Sequence, residues 1–323
     1  MLKLGNLKLA LPFIQAPLSG YSDYAMRKLA AEHGAPLTFA GVMLAKSAAH
    51  PKIIIKPSFR PHEDEHPVGA QILGDEADIC VKAAIALAGA GFDILDLNFA
   101  CPAPKVLRRS RGGAMLDYPE KIIDTYKQVR DAISMPLTVK LRIGVTDSEE
   151  SREKYWQAVE GICEHGVDAM MVHGRSVSQK YRGHADWQIL AETKRRFSGT
   201  TILGSGDIFH AQTAVEMMTE AKIDGLVVAR GAIGNPWIFR DLKAIFENRT
   251  PPETPPLDEQ KEIVMRHYNL VNELYGKGKP VAYMRKFMAN YCKLHPERKK
   301  AQKSFMAAST HEQFIAAIAQ WYN

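Results

Sequence analysis

Long apolar runs are missing from this 323-residue sequence: none reaches the roughly 18–20 residues that a membrane-spanning helix needs. The opening Met1-Leu2-Lys3-Leu4-Gly5 has neither the apolar core nor the small-residue cleavage site of a signal peptide. A cytoplasmic location without a membrane partner is therefore expected. Cysteine is scarce, and Cys80, Cys101, Cys163 and Cys292 never form a C-x-x-C pair. That spacing argues against a zinc ribbon and against a disulfide framework, so no metal is expected. A G-x-G-x-x-G turn is absent after the first strand candidate, which weighs against a doubly wound dinucleotide-binding sheet.

What is present is alternation. Eight short β-like runs occur at Pro12–Ala16, Leu37–Val42, Val68–Leu73, Ile94–Asn98, Leu137–Leu141, Ala169–His173, Thr201–Gly204 and Gly225–Ala229. Several are continuously apolar, as strands covered on both faces should be. Amphipathic helical stretches separate them, at Glu76–Ala90, Pro119–Ala132, Tyr155–His165, Trp187–Phe197 and Ala211–Ala221. Eight strands alternating with helices within ~250 residues predict an α/β fold of the (β/α)₈ TIM-barrel type. The proline-rich Thr250–Pro256 follows as a stiff, extended break, and everything after it has a helical pattern. The expected organisation is a catalytic barrel over residues 1–245 and a small all-helical domain over residues 246–323, with a monomer as the expected state.

Charge is distributed unevenly between these parts. Residues 1–239 carry 28 basic and 27 acidic side chains, whereas residues 240–323 carry 14 and 9. The excess points to a basic module facing a polyanion. Its candidates are Lys277, Lys279, Arg285, Lys286, Lys293, Arg298, Lys299, Lys300 and Lys303, with Arg108, Arg109 and Arg111 as additions from the barrel.

TIM barrels place their active sites at the C-terminal ends of the strands, and those ends are polar here. The third strand contains Gln71, the fourth ends in Asn98, and the fifth contains Lys140 and Arg142. The sixth ends in His173-Gly174-Arg175, the seventh in Gly204-Ser205-Gly206-Asp207 and the eighth in Ala229-Arg230-Gly231. The last two are glycine turns where such barrels commonly hold a phosphate with backbone N–H groups. Asp207 is an alternative partner for a sugar hydroxyl. Cys101 follows the fourth strand, on a loop above the barrel mouth; a half-buried structural cysteine is the ordinary alternative.

Several segments together resemble the tRNA-dihydrouridine synthases over nearly the whole chain. They are Ala16-Pro17-Leu18-Ser19-Gly20-Tyr21-Ser22-Asp23 with Arg27; Asp96 to Pro102 with Lys105 and Arg111-Gly112-Gly113; Val139-Lys140-Leu141-Arg142; His173-Gly174-Arg175 with Gln179, Tyr181 and Asp186-Trp187; and the two glycine turns through Phe239. Two positions depart from the family pattern. Ala100 stands where a glycine is usual and Ser205 where an asparagine is usual, both small or polar exchanges compatible with flavin binding. Met284-Arg285-Lys286-Phe287 is similar to the tail of a bacterial group.

The resemblance implies an FMN-dependent oxidoreductase that reduces the C5=C6 bond of specific tRNA uridines, recharged by NADPH or NADH. It implies flavin contacts from Pro17, Leu18, Ser19, Gln71, Lys140, His173, Ser205, Gly206, Asp207, Ala229 and Arg230. Asn98, Arg142 and Arg175 would bind the substrate, and Cys101 would give a proton to C5 after hydride reaches C6. The target base must be extruded into the pocket, so phosphate contacts outside the barrel are expected. Three competing readings are a small-molecule flavin barrel, a non-catalytic RNA-binding barrel and an aldolase with Lys140 as Schiff base.

Overall fold

The computed structural model describes residues 1–276 and 279–322, and Lys277 lies outside the described residues. Eight parallel strands close on themselves: β1 (Phe13–Gln15), β2 (Thr38–Phe39), β3 (Val68–Leu73), β4 (Ile94–Phe99), β5 (Leu137–Arg142), β6 (Ala169–His173), β7 (Ile202–Ser205) and β8 (Gly225–Val228). Each pairs with its sequence neighbours, and β8 returns to β1 through Leu226↔Phe13 and Val228↔Gln15. Nearly every strand residue is buried, because one face lines the barrel interior and the other carries the helices. The expected TIM barrel is the fold observed, and all eight expected strands are in it.

Helices α1 (Tyr24–Glu32), α2 (Ala77–Ala88), α3 (Pro119–Ala132), α4 (Glu149–Glu164), α5 (Trp187–Arg196), α6 (Ala211–Ala221) and α7 (Trp237–Phe246) surround the sheet. Their starts carry local signals. Asp23, Ser148 and Asp186 accept hydrogen bonds from the backbone of α1, α4 and α5, and Pro119 opens α3. Helix α4 begins at Glu149, a full turn and more before the expected Tyr155, because Ser148 caps it there.

Two further features were not anticipated. Leu2–Leu4 and Leu7–Leu9 form an antiparallel hairpin about Gly5, and Leu2, Leu4 and Leu9 are buried in one cluster with Ile14, Phe39, Ile94, Met171 and Val227. The hairpin thus plugs the N-terminal end of the barrel. Strand β2 is shorter than expected. The chain leaves the sheet at Ala40, where the Gly41 N–H turns to Ser22 O, and Met43–Leu44 pairs separately with β3.

Thr250–Pro256 carries no regular element, and four helices follow: α8 (Leu257–Tyr275), α9 (Pro280–Tyr291), α10 (Arg298–Ala307) and α11 (His311–Trp321). They dock on the barrel beside the β1–α1 loop. Tyr275 Oη donates to Asp23 at 3.0 Å, Phe287 meets Tyr21 edge to face, and Trp237 Nε1 donates to Glu259 at 2.6 Å. Val264, Val271, Met284 and Phe287 are buried in the same apolar cluster as the barrel helices. No described helix is long and apolar enough to cross a membrane.

Candidate active site

A cavity of about 530 Å³ opens at the C-terminal end of the barrel. One wall is Ala16, Pro17, Leu18 and Ser19 from the loop after β1. Opposite it stand Asn98, Ala100 and Cys101, and Lys140, Arg142, His173, Ser205, Gly206, Asp207, Ala229 and Arg230 complete the rim and floor. Thirteen of the fifteen residues singled out from sequence surround one space, drawn together from positions up to 213 apart in the chain. Gln71 and Arg175 do not line it. Both lie behind it, Gln71 wholly buried and Arg175 almost so.

The first wall depends on Ser22. Its Oγ accepts from Leu18 N–H and from Gln15 Nε2, both at 2.9 Å, so the Pro17–Ser19 turn is pinned to β1. Arg27 supports it from below, donating to Ser22 O at 3.0 Å and making a two-pronged pair with buried Glu65 at 2.7 Å.

The Cys101 loop is held from two sides. Asn98 Oδ1 accepts from both Ala100 and Cys101 N–H at 3.0 Å. Arg142 Nε donates to Ala100 O at 3.0 Å, while its Nη1 donates to Ser176 O and Lys180 O. Gly113 must be glycine, because a β-carbon there would lie 2.4 Å from Val177 Cγ2 and 3.2 Å from Cys101 O. The thiol itself is half-buried and makes no hydrogen bond within the described residues.

Gly206, at φ 127°, and Asp207, at φ 55°, form a left-handed turn after β7. A β-carbon on Gly231, after β8, would sit 2.1 Å from Ile208 O, so the two turns touch backbone to backbone. Among the described residues, nothing accepts a hydrogen bond from the N–H groups of Gly206, Arg230 or Gly231. Asp207 is committed elsewhere: its Oδ2 accepts from Arg175 Nη2 at 2.6 Å and from Ala185 N–H at 2.9 Å. Burial opposes its charge, yet Arg175, the Ala185 amide and Arg230 hold its carboxyl below the usual range.

Cations outnumber the one lining carboxylate, Asp207. Lys140, Arg142, Arg175 and Arg230 converge here. Burial first, and then these four cations, drive His173 down to about 2, so its imidazole is neutral, with Nδ1 buried and unpartnered. Burial also lowers Lys140 and raises Asp96 beneath it, each partly offsetting the other. Lys140 lines the cavity, with Asp96 as its opposite charge. No group of three or more His, Cys, Asp or Glu side chains able to hold a metal ion occurs among the described residues.

One lining aromatic, Phe209, escaped the sequence argument, and Tyr181 entered it only through the family resemblance. The Arg230 guanidinium lies over the Tyr181 ring at 4.1 Å and the Phe209 ring at 5.2 Å, so two exposed aromatics flank the cation at the mouth. Phe209 had a signal, an exposed aromatic two residues beyond a glycine turn. Its packing against Arg230 had none.

The basic tail divides into committed and exposed charges. Arg285 Nε donates to Ala308 O, and Lys286 donates to Gly20 O while lying 3.2 Å over the Tyr283 ring. Lys300 pairs with Glu297, whereas Lys279, Lys293, Arg298, Lys299 and Lys303 are exposed, as are Arg108 and Arg109 beside the Cys101 loop. Arg111 is tied to Asp75 at 2.6 Å.

Residues 14–321 match the family model described as Dihydrouridine synthase (Dus). The chain is 31% identical over 324 aligned residues to the probable tRNA-dihydrouridine synthase of Mycobacterium tuberculosis (strain ATCC 25618 / H37Rv), covering 97% of this chain and 82% of that one. It is 28% identical to tRNA-dihydrouridine synthase B of Vibrio cholerae serotype O1, covering 100% and 99%. Among solved structures, the 2-naphthoyl-CoA reductase complex superposes with a TM-score of 0.58 at 13% identity, over 77% of this chain and 52% of that one. Histamine dehydrogenase from Rhizobium sp. 4-9 superposes with a TM-score of 0.58 at 14% identity, over 83% and 50%. This chain spans about half the length of each, and the likeness is one of fold. The match over residues 14–321, together with end-to-end relatives of the same description, establishes that the chain belongs to the dihydrouridine synthase family.

Proposed function

We propose that this protein reduces uridines in tRNA to 5,6-dihydrouridine, with FMN as the bound cofactor, NADPH as its reductant and Cys101 as the proton donor. One observation carries the reading: Cys101 shares its cavity with Lys140 and with both glycine turns, so a proton source, a cation and a phosphate cradle face one space.

The donors fit FMN. The unpartnered N–H groups of Gly206, Arg230 and Gly231, with the Arg230 guanidinium, suit its phosphate. Lys140 Nζ suits the polar edge of the ring, and Pro17 and Leu18 offer an apolar wall to its face. When bound, FMN supplies the hydride that reaches uracil C6. Cys101 Sγ–H then releases its proton to C5, and water at the cavity mouth restores the thiol. A positioned thiol is able to act as a general acid. The neutral His173 ring and Arg142 flank the position where the uracil carbonyls would lie. Gln71 and Arg175 act from behind, through Asp96 and Asp207, while Asn98 lines the cavity and holds the Cys101 loop.

We assign catalysis to residues 1–245 and tRNA binding to residues 246–323. Two facts support the division: the exposed tail cations Lys279, Lys293, Arg298, Lys299 and Lys303, and the tail's docking beside the Pro17–Ser19 wall of the mouth. The test is mass spectrometry of tRNA from a host lacking dihydrouridine synthases, after incubation with this protein, FMN and NADPH. A gain of two hydrogens at one uridine supports the reading. NADPH consumed without that gain would transfer the activity to a small-molecule substrate.

A further inference from the structure

Beneath the Cys101 loop runs an unbroken line of side-chain hydrogen bonds across three strands. Thr138 Oγ1 on β5 donates to Asp96 Oδ1 at 2.7 Å. Gln71 Nε2 on β3 donates to Asp96 Oδ2 at 2.6 Å. Asn98 Nδ2 on β4 donates to Gln71 Oε1 at 2.6 Å, and Asn98 Oδ1 accepts from the Ala100 and Cys101 N–H groups at 3.0 Å. Strand register puts Asp96 beside both Gln71 and Thr138, and the two-residue spacing of Asp96 and Asn98 turns both toward the barrel interior. All four side chains are buried.

The line has a direction, and its ends set it. An ionised carboxylate only accepts hydrogen bonds, and a backbone N–H only donates. Between them stand two carboxamides, each able to present oxygen or nitrogen to either side. Asp96 requires nitrogen from Gln71, which leaves Gln71 oxygen for Asn98. Asn98 must then offer nitrogen to Gln71, which leaves its oxygen for the loop. An uncharged amide at position 96 removes that requirement, and the reversed line would set Asn98 nitrogen against two N–H donors.

We propose that Asp96 is a positioning residue whose charge, relayed through Gln71 and Asn98, sets the amide polarity that holds the Cys101 loop. Holding the loop matters because Cys101 is the proposed proton donor, so the inference rests on that reading for its meaning though not for its test.

The test is amide hydrogen exchange at Ala100 and Cys101 in the full-length, flavin-loaded protein. Asp96→Asn should speed exchange at these two amides about tenfold or more, as expected when a buried hydrogen bond is lost. The double exchange Asp96→Asn/Asn98→Asp rebuilds the line in reverse, with Gln71 turned over and the new carboxylate at position 98 accepting from the loop. It should return exchange to within roughly threefold of the parent, a rescue that a packing role has no means to produce. Thr138→Val removes a donor to Asp96 without reversing any amide and should leave the loop protected. If the Asp96 variant does not fold, Gln71→Met interrupts the line at matched volume and carries the same expectation of faster exchange. Parental exchange in Gln71→Met or Asp96→Asn overturns the proposal, as does a double variant no better than Asp96→Asn. Because exchange is measured on the loop itself, its outcome is independent of whether Cys101 is the acid, which turnover by Cys101→Ala decides.

Discussion

The two ends of this barrel are built from the same eight strands and have opposite characters. At the N-terminal end Leu2, Leu4 and Leu9 of the hairpin close on Ile14, Phe39, Ile94 and Val227. At the C-terminal end the strands deliver Lys140, Arg142, His173 and Arg230 to an open cavity, with N–H groups left free. The contrast separates two demands on one sheet. A sealed end contributes apolar burial to stability. An open end keeps the Gly206, Arg230 and Gly231 N–H groups unpaired among the described residues, at a cost that the sealed end and the helices offset.

Breaking the contrast at the top should give the largest effect. Cys101→Ala should lower single-turnover dihydrouridine formation about 10²–10⁴-fold, the usual reach of a positioned acid, while flavin absorbance co-purifies unchanged. The second half follows because the thiol makes no hydrogen bond that the loop depends on. Undiminished turnover would remove Cys101 from the chemistry.

Breaking it at the bottom should affect stability alone. Leu4 is wholly buried, and Leu4→Ala should cost about 2–5 kcal/mol in urea unfolding while turnover per folded molecule stays at the parental value. A matching fall in turnover would mean that the ends communicate.

Acid sharpens the comparison further. Folding holds His173 at about 2, below its unfolded value near 6.5, so the unfolded chain binds the extra proton between those limits. The stability linked to neutral His173 is therefore present above about pH 6.5 and is lost as pH falls, by up to about 1.4 kcal/mol per unit. Buried His267 acts in the same direction, so the measurable quantity is the shallower slope of His173→Asn against the parent in flavin-free protein. Equal slopes would exclude a buried neutral imidazole at position 173.

The smallest effect belongs to the tail. Replacing Arg298, Lys299 or Lys303 singly with Ala should weaken tRNA binding modestly. The slope of log K against log salt should fall by about one for each phosphate that the removed cation had neutralised. Arg285→Ala, already committed to Ala308 O, should leave that slope alone.

The regular parts of the molecule were legible because their signals are local. Continuous apolar runs such as Ala169–Val172 and Gly225–Ala229 marked strands buried on both faces, and polar residues at or near the strand ends marked the mouth. The hairpin was missed because three-residue strands carry too little periodicity to register. The early start of α4 was missed because the Ser148 cap lies outside the apolar repeat. At the site, chemistry was legible by residue type, but the partition between wall and support was not. Gln71 and Arg175 have the composition of ligand-binding side chains, and only their partners, Asp96 with Asn98 and Asp207, set them behind the wall.

By itself, then, the sequence determined the barrel, the helical tail and the group of residues that would meet at one mouth. Hydrophobic period, glycine turns and strand-end polarity are properties of short stretches of chain. The tertiary structure alone decided which of those residues face the cavity, which cations of the tail remain exposed and which way each buried amide points. Those outcomes depend on partners tens to hundreds of residues away, whose donor or acceptor character no local pattern contains.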